Sequence, residues 1–370
     1  MTRTKRTATA MPPRNWIRGC WRRIRQAFAP QASIERDPYL LLCGHACFQT
    51  LVAGCKLGLF DHLSAHPART AQEITAQLGI PARSVTVLLH ACASIGLVKR
   101  DRRDGTYRNS RWSEQRLVRA RTGNQLPLIE AYHALWYQPL FSLTESLRQG
   151  TNVGLSCFSG PGATLYERMG EQPELEQVFH GWMSALNPGG VPTAAVTAAS
   201  KHARLLDLGG GHATNAMDLV RRCPGLRVTI LDFPSVCAHA GARIAQAGLA
   251  DRISTVAGNF LEAPFPDGID AILCAQILPI YDEDTNRELI RKCAQALPPG
   301  GELIVYNGVS NDDAVGPLST AVHSLYFLGI ATGTGMVYPW EAYEKWFRAA
   351  GFSSTTTTRM GSQGIFVATK

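Results

Sequence analysis

The stretch Leu205-Leu-Asp-Leu-Gly-Gly-Gly-His-Ala-Thr214 decides the reading of this 370-residue chain. It begins as a short apolar strand carrying one acid, Asp207. Gly209, Gly210 and Gly211 then make a tight turn, and a helix starts at once. Glycine fits here because it lets backbone approach a ligand without interference from a Cβ. Strand, glycine turn and helix in this order form one unit of an α/β nucleotide-binding fold. The dinucleotide fingerprint asks for a further glycine three positions past Gly211, and Thr214 stands there instead.

Downstream, the pattern repeats. Residues 227–231 read as a second strand, closed by Asp232-Phe233-Pro234 at 21 residues past Gly211. A carboxylate at that strand end is placed to accept both hydrogen bonds of a ribose diol. Val256-Ala-Gly-Asn-Phe260 follows the third strand, putting Asn259 and Phe260 where an adenine is held by a polar group and an apolar one. Strands at 204–208, 227–231, 253–257, 269–275 and 302–306 alternate with helices at 213–222, 235–247 and 285–296. This alternation predicts a doubly wound parallel sheet over residues 191–370, closed by a hairpin of 354–359 with 364–370.

Upstream, residues 37–122 read as three helices and a β-wing. Tyr39 to Leu59 is one long apolar helical stretch, Thr70 to Glu73 is a capping box, and a helix over 84–95 stops at Gly96. That last helix would be the recognition helix of a DNA-binding winged helix, yet Arg83 is its one fixed cation. Being apolar nearly all round, it is expected to be buried against protein, so nucleic acid is not an expected partner. Residues 123–190 are expected to be linker helices rich in aromatics.

The formal charge is +8, and residues 1–36 carry all of it, with nine Lys/Arg against Glu35. The folded body is therefore neutral and offers no net field to polyanions. Within the tail, Trp16, Trp21, Ile24 and Phe28 interleave with arginines. This pattern suits either a basic amphipathic helix on a membrane surface or a solvated extension. No apolar run approaches the roughly 20 residues of a membrane span. Ten cysteines are scattered singly without metal-ligand spacing, so no metal site is expected and the thiols read as reduced, cytoplasmic ones.

Taken together, these motifs resemble the small-molecule O-methyltransferases of the hydroxyindole and caffeate type, which carry an N-terminal winged-helix dimerisation domain. The likeness covers roughly residues 38–370. It includes Cys55-Lys-Leu-Gly-Leu-Phe-Asp61, Thr164-Leu-Tyr-Glu-Arg-Met169, Phe179-His-Gly-Trp-Met183, the Asp207 glycine loop, Asp232-Phe-Pro, Gly258-Asn-Phe, Ala296-Leu-Pro-Pro-Gly-Gly301 and Ala350-Gly-Phe352. The resemblance implies S-adenosylmethionine as cofactor, a homodimer, and an aromatic or polyketide-like acceptor. It places Asp207, Gly209, Gly211, Asp232, Phe233, Asn259, Phe260, Gln276 and Met183 on the cofactor. His133, Trp136, Phe179, Trp182 and Met336 fall on the acceptor.

The chain departs from that family where the proton is moved. The family's catalytic segment reads Leu-His-Asp-Trp, its histidine acting as general base, whereas this chain has Gln276-Ile-Leu-Pro279. Asn307 replaces the acid expected after the fifth strand, and Gly335-Met336 the glutamate of the last loop. Because proline cannot transfer a proton, methyl transfer here is expected to rely on proximity, with the acceptor's nucleophile acidic or carbon-like. A similar base-poor site occurs in the bacteriochlorophyllide ring-methylating branch. A relocated base is the other option, with His323, Tyr326, Tyr281 and His133 as candidates beside Asn307. The alternative function is a repurposed member that uses the bound sulfonium for hydroxylation or pericyclic rearrangement.

Overall fold

The computed structural model describes residues 38–186 and 190–370; the basic pattern of residues 16–28 lies outside them. The chain forms two units, one ending at Val118 and the other spanning Arg119–Lys370. None of the described helices is long and apolar enough to cross a membrane.

In the first unit, the apolar stretch from Tyr39 is broken into helices Pro38–Leu42, Gly44–Lys56 and Leu59–Ala65, with Gly58 left-handed at the last junction. Helix Ala71–Leu78 starts from a complete capping box. The Thr70 amide donates to Glu73 Oε2 at 2.8 Å and the Glu73 amide to Thr70 Oγ1 at 3.3 Å. Helix Ala82–Ser94 follows, then the wing, β1 (Val98–Arg100) paired antiparallel with β2 (Tyr107–Asn109). One expectation needs correcting. Helix Ala82–Ser94 buries only the stripe Val85, Leu89 and Cys92, and Val87 on another face is 62% exposed. Within the single chain, then, only one stripe of this helix is covered.

The second unit is built on seven strands: β3 (Arg204–Leu208), β4 (Arg227–Asp232), β5 (Ile253–Ala257), β6 (Ala271–Ala275), β7 (Glu302–Gly308), β8 (Ser354–Met360) and β9 (Gln363–Thr369). Their order is β5-β4-β3-β6-β7-β9-β8. The first five run parallel, while β9 is antiparallel to β7 and β8 to β9. Period-two alternation divides each strand between two cores. Leu206, Ile272, Leu303 and Val305 face Trp340, Tyr343, Trp346 and Phe347. Leu205, Val228, Leu273 and Ile304 face the opposite layer of Ala198, Leu219, Val220 and Ala240. Three helices here escaped the sequence reading, Thr193–Ala199, Leu318–Tyr326 and Trp340–Ala349.

Arg252 ties the turn before β5 to the end of helix Thr214–Arg222. Its guanidinium donates to the carbonyls of Val220 at 2.8 Å, Cys223 at 2.6 Å and Leu226 at 2.6 Å. A cation at a helix C-terminus satisfies orphan carbonyls and suits the helix dipole. Arg252→Met should cost about 1.5–3 kcal/mol, the range for hydrogen bonds to a charged group. An unchanged thermal midpoint would show that water caps those carbonyls equally well.

Candidate active site

The order of the parallel strands reverses between β3 and β6. Such a switch leaves a crevice outside the carboxyl ends of the two strands, the usual ligand position in open α/β sheets. Two carboxylates lie there. Asp207, within β3, is fully buried and neither of its oxygens has a hydrogen-bond partner. Burial first, and then the charge of Asp232, push its pKa up to about 8. Asp232, ending β4, is better provided for. Its Oδ2 accepts from the Gly211 amide at 2.9 Å and its Oδ1 from the Phe233 amide at 2.8 Å. Burial still raises its pKa, against the pull of those amides.

The glycine loop is tightly fitted to the protein itself. A Cβ on Gly209, whose φ is +62°, would lie 2.5 Å from the Ile277 side chain. On Gly210 it would lie 2.7 Å from Asp207 Oδ2, and on Gly211 (φ +54°) its nearest neighbour would be His180 at 3.9 Å. Gly209 and Gly210 are thus required by Ile277 and Asp207. Ala213 and Gln276 flank the same crevice at φ +62° and +61°, unusual for residues with a side chain. Such outliers collect where a ligand must be shaped for.

The cap over this edge is a box of rings. Trp136 comes from the turn Tyr132–Trp136, Trp182 from helix Pro173–Leu186, and His323 and Tyr326 from helix Leu318–Tyr326. Trp136 stacks on Tyr326 at 5.0 Å, and His323 lies 5.1 Å from Trp136 and 5.9 Å from Trp182. Phe179 meets Trp182 edge-on at 5.8 Å, and half-buried Met183 packs on the same cluster. The indole nitrogens of Trp136 and Trp182 are buried without an acceptor. His323 Nδ1 lies 2.5 Å from the Ser319 carbonyl, so that nitrogen carries the proton and Nε2 holds the lone pair. Burial lowers the His323 pKa, opposed by the Ser319 hydrogen bond. His133 is half-buried on the same turn as Trp136.

Several sequence-based assignments are corrected. Asn307 is wholly buried in the core beside Tyr343, with no surface toward an acceptor. The Asn259 amide closes its own turn, accepting from the Leu261 amide at 3.1 Å and donating to Glu262 at 3.2 Å. Gln276 turns its Oε1 to the Gly308 amide at 3.3 Å. Phe260 is buried beneath the glycine loop, and Phe233 is 37% exposed beside it. Burial, then Asp232 and Glu167, push the Tyr281 pKa up to about 12, and burial raises that of Tyr326 further. Neither phenol is a base at neutral pH. Met336 is 44% exposed, outside the box.

Backbone fills the place read as lacking a base. Pro279 is buried in the turn Leu278–Ile280. A Cβ on Gly335 would lie 2.3 Å from the Pro279 carbonyl and 2.4 Å from that of Ile280. Thr332 Oγ1 fastens the turn by donating to the Ile280 carbonyl at 2.6 Å. The backbone of the 279–280 turn and the glycine at 335 are therefore matched to each other. Sequence reading missed this match, as it missed the meeting of Glu176, His180 and His212 above the glycine loop. The i, i+4 spacing of Glu176 and His180 was the available signal.

Comparison with known proteins agrees with this architecture. The O-methyltransferase domain family matches residues 141–353, and the O-methyltransferase dimerisation domain family residues 39–119. The chain is 34% identical over 339 residues to L-tyrosine C(3)-methyltransferase of Streptomyces lavendulae, covering 89% of this chain and 91% of that protein. It is 35% identical over 320 residues to 3-hydroxy-5-methyl-1-naphthoate 3-O-methyltransferase of Streptomyces sahachiroi, covering 85% and 89%. The crystal structure of the S-adenosylmethionine-dependent methyltransferase SibL superposes with a TM-score of 0.75 at 34% identity, covering 90% of this chain and 98% of that one. With both domain families matched along most of its length, the chain belongs to the O-methyltransferase family with an N-terminal dimerisation domain, and it is an S-adenosylmethionine-dependent methyltransferase.

Proposed function

We propose that this enzyme methylates a phenolic aromatic acceptor carrying a second polar group, at the oxygen or at an adjacent ring carbon, and that His323 takes the phenolic proton. The observation that carries this reading is the position of His323, an imidazole with Nε2 free inside a box of rings, while the turn at Pro279 holds no titratable group. Once ionised, a phenol is nucleophilic at oxygen and at the ortho carbon. One related enzyme is named for a carbon acceptor and another for an oxygen. Both named substrates are aromatic compounds with a carboxylate. The unpaired indole N–H groups of Trp136 and Trp182 would donate to such a group.

The residues present fit the cofactor. Asp207 offers a buried, unpartnered carboxylate suited to the cofactor's amino group, and the oxygens of Asp232 keep lone pairs for the ribose diol. Phe233 and Phe260 supply apolar surface beside the loop. When bound, S-adenosylmethionine supplies an electrophilic methyl group on a sulfonium. The rings exclude water from the box, and His323 holds and removes one proton at Nε2. The match to a dimerisation domain supports a homodimer.

The direct test supplies methyl-labelled cofactor with hydroxylated aromatic acids. Label in the product supports the proposal, whereas acceptor conversion with cofactor unconsumed would favour the repurposed reading. His323→Ala should lower turnover roughly 10²–10⁴-fold, the usual worth of a positioned base. Because the His323 pKa lies below its ordinary 6.5, the acid limb of kcat/KM should fall below pH 6.5 and vanish in the variant. A variant retaining both rate and limb would remove His323 from the mechanism.

Asp207 gives a second test with its own sign. Its folded pKa of about 8 exceeds the unfolded value of roughly 3.9, so the cofactor-free fold loses stability as pH rises from about 4 to 8. Asp207→Asn, which mimics the protonated acid, should melt higher than the wild type at pH 8 and bind cofactor more weakly. Coincident melting curves at pH 8 would contradict the buried, unpaired carboxylate.

A further inference from the structure

Three imidazoles converge on one buried carboxylate beside the glycine loop. Glu176 and His180 sit one turn apart on helix Pro173–Leu186. His212 is the first residue after Gly211, and His239 lies on helix Pro234–Gln246. Glu176 is 8% exposed. Its Oε1 stands 3.6 Å from His180 Nε2, 3.6 Å from His212 Nε2 and 3.5 Å from His239 Nδ1. His212 Nε2 is buried and has no hydrogen-bond partner.

These separations are long for hydrogen bonds, which run about 2.7–3.2 Å. They match the spacing of atoms sharing one ion. Tetrahedral bonds of about 2.0–2.1 Å hold their ligand atoms roughly 3.4 Å apart. We propose that Glu176, His180 and His212 form a three-donor site for a divalent transition-metal ion of the zinc class. Two neutral imidazoles and a carboxylate are the donor set that borderline ions prefer to calcium or magnesium. The rings of His180 and His212 stack at 3.3 Å and 24°, so sharing one ion requires one of the two rings to turn. Arg243 donates to the His212 carbonyl at 2.8 Å, placing one positive charge beside the site. An ion here would staple the helix that carries Trp182 to the loop that follows β3.

Cobalt titration of the cofactor-free enzyme tests the site. The expected result is one ion per chain, with visible bands of nitrogen and oxygen coordination and a raised thermal midpoint. Glu176→Gln, nearly isosteric, and His180→Ala should each weaken binding at least tenfold and abolish the rise in midpoint. Near-ultraviolet charge-transfer bands of cobalt thiolate would place the ion on cysteine and overturn the proposal. So would undiminished affinity in the Glu176→Gln protein, whose unchanged melting without metal establishes that it is folded.

Discussion

A buried carboxylate without a partner is the constraint around which this enzyme is arranged. Asp207 lies fully buried where β3 meets the strand-order reversal, with no protein donor to satisfy it. Charging an isolated acid in such a place is costly, so its proton is held to about pH 8. A cation set against the carboxylate reverses that shift. The protein thus carries at its centre a group that is poorly solvated until a positively charged ligand arrives. Under the proposal that Asp207 meets the cofactor's amino group, cofactor binding and relief of that cost are one event.

The surrounding geometry follows from keeping this acid in place. Gly210 is glycine because a Cβ would press on Asp207 Oδ2, and Gly209 because a Cβ would strike Ile277. Asp232 secures the loop through the Gly211 amide, so the second carboxylate works as a structural clamp as well as a candidate ribose acceptor. Ala213 and Gln276 hold positive φ on either side. Backbone strain of this kind persists only when its surroundings over-determine it, and here the packed β3 and β6 do so.

Much of this was legible in the sequence, because strand ends and glycine turns are local patterns. The order Leu205 to Thr214, Asp232 and Asn259 predicted the parallel sheet and the cofactor crevice, and the closing hairpin was equally plain. Asn307 misled because alternation along β7 puts it on the face of Leu303 and Val305, beneath Tyr343. Its neighbour in sequence said nothing of that. Asn259 and Gln276 are engaged differently, the first in its own turn and the second with the Gly308 amide at the end of β7. The box of Trp136, Trp182 and His323 draws on three segments between 132 and 326, and no periodicity reports such a meeting.

The loss of the usual base also reads differently in three dimensions. Had only the histidine been replaced, a vacant polar pocket would remain opposite the last loop. Instead Gly335 and Thr332 close on the backbone carbonyls of Pro279 and Ile280, and Pro279 itself is buried. A chain that has filled the old base position with backbone is committed to another source of the nucleophile. Under the proposed reading a phenol ionised at His323 supplies one, with its oxygen and its ring carbon both open to methylation. Ionisation activates both atoms, and the choice between them then rests on which one the aromatic walls hold in line with the methyl group.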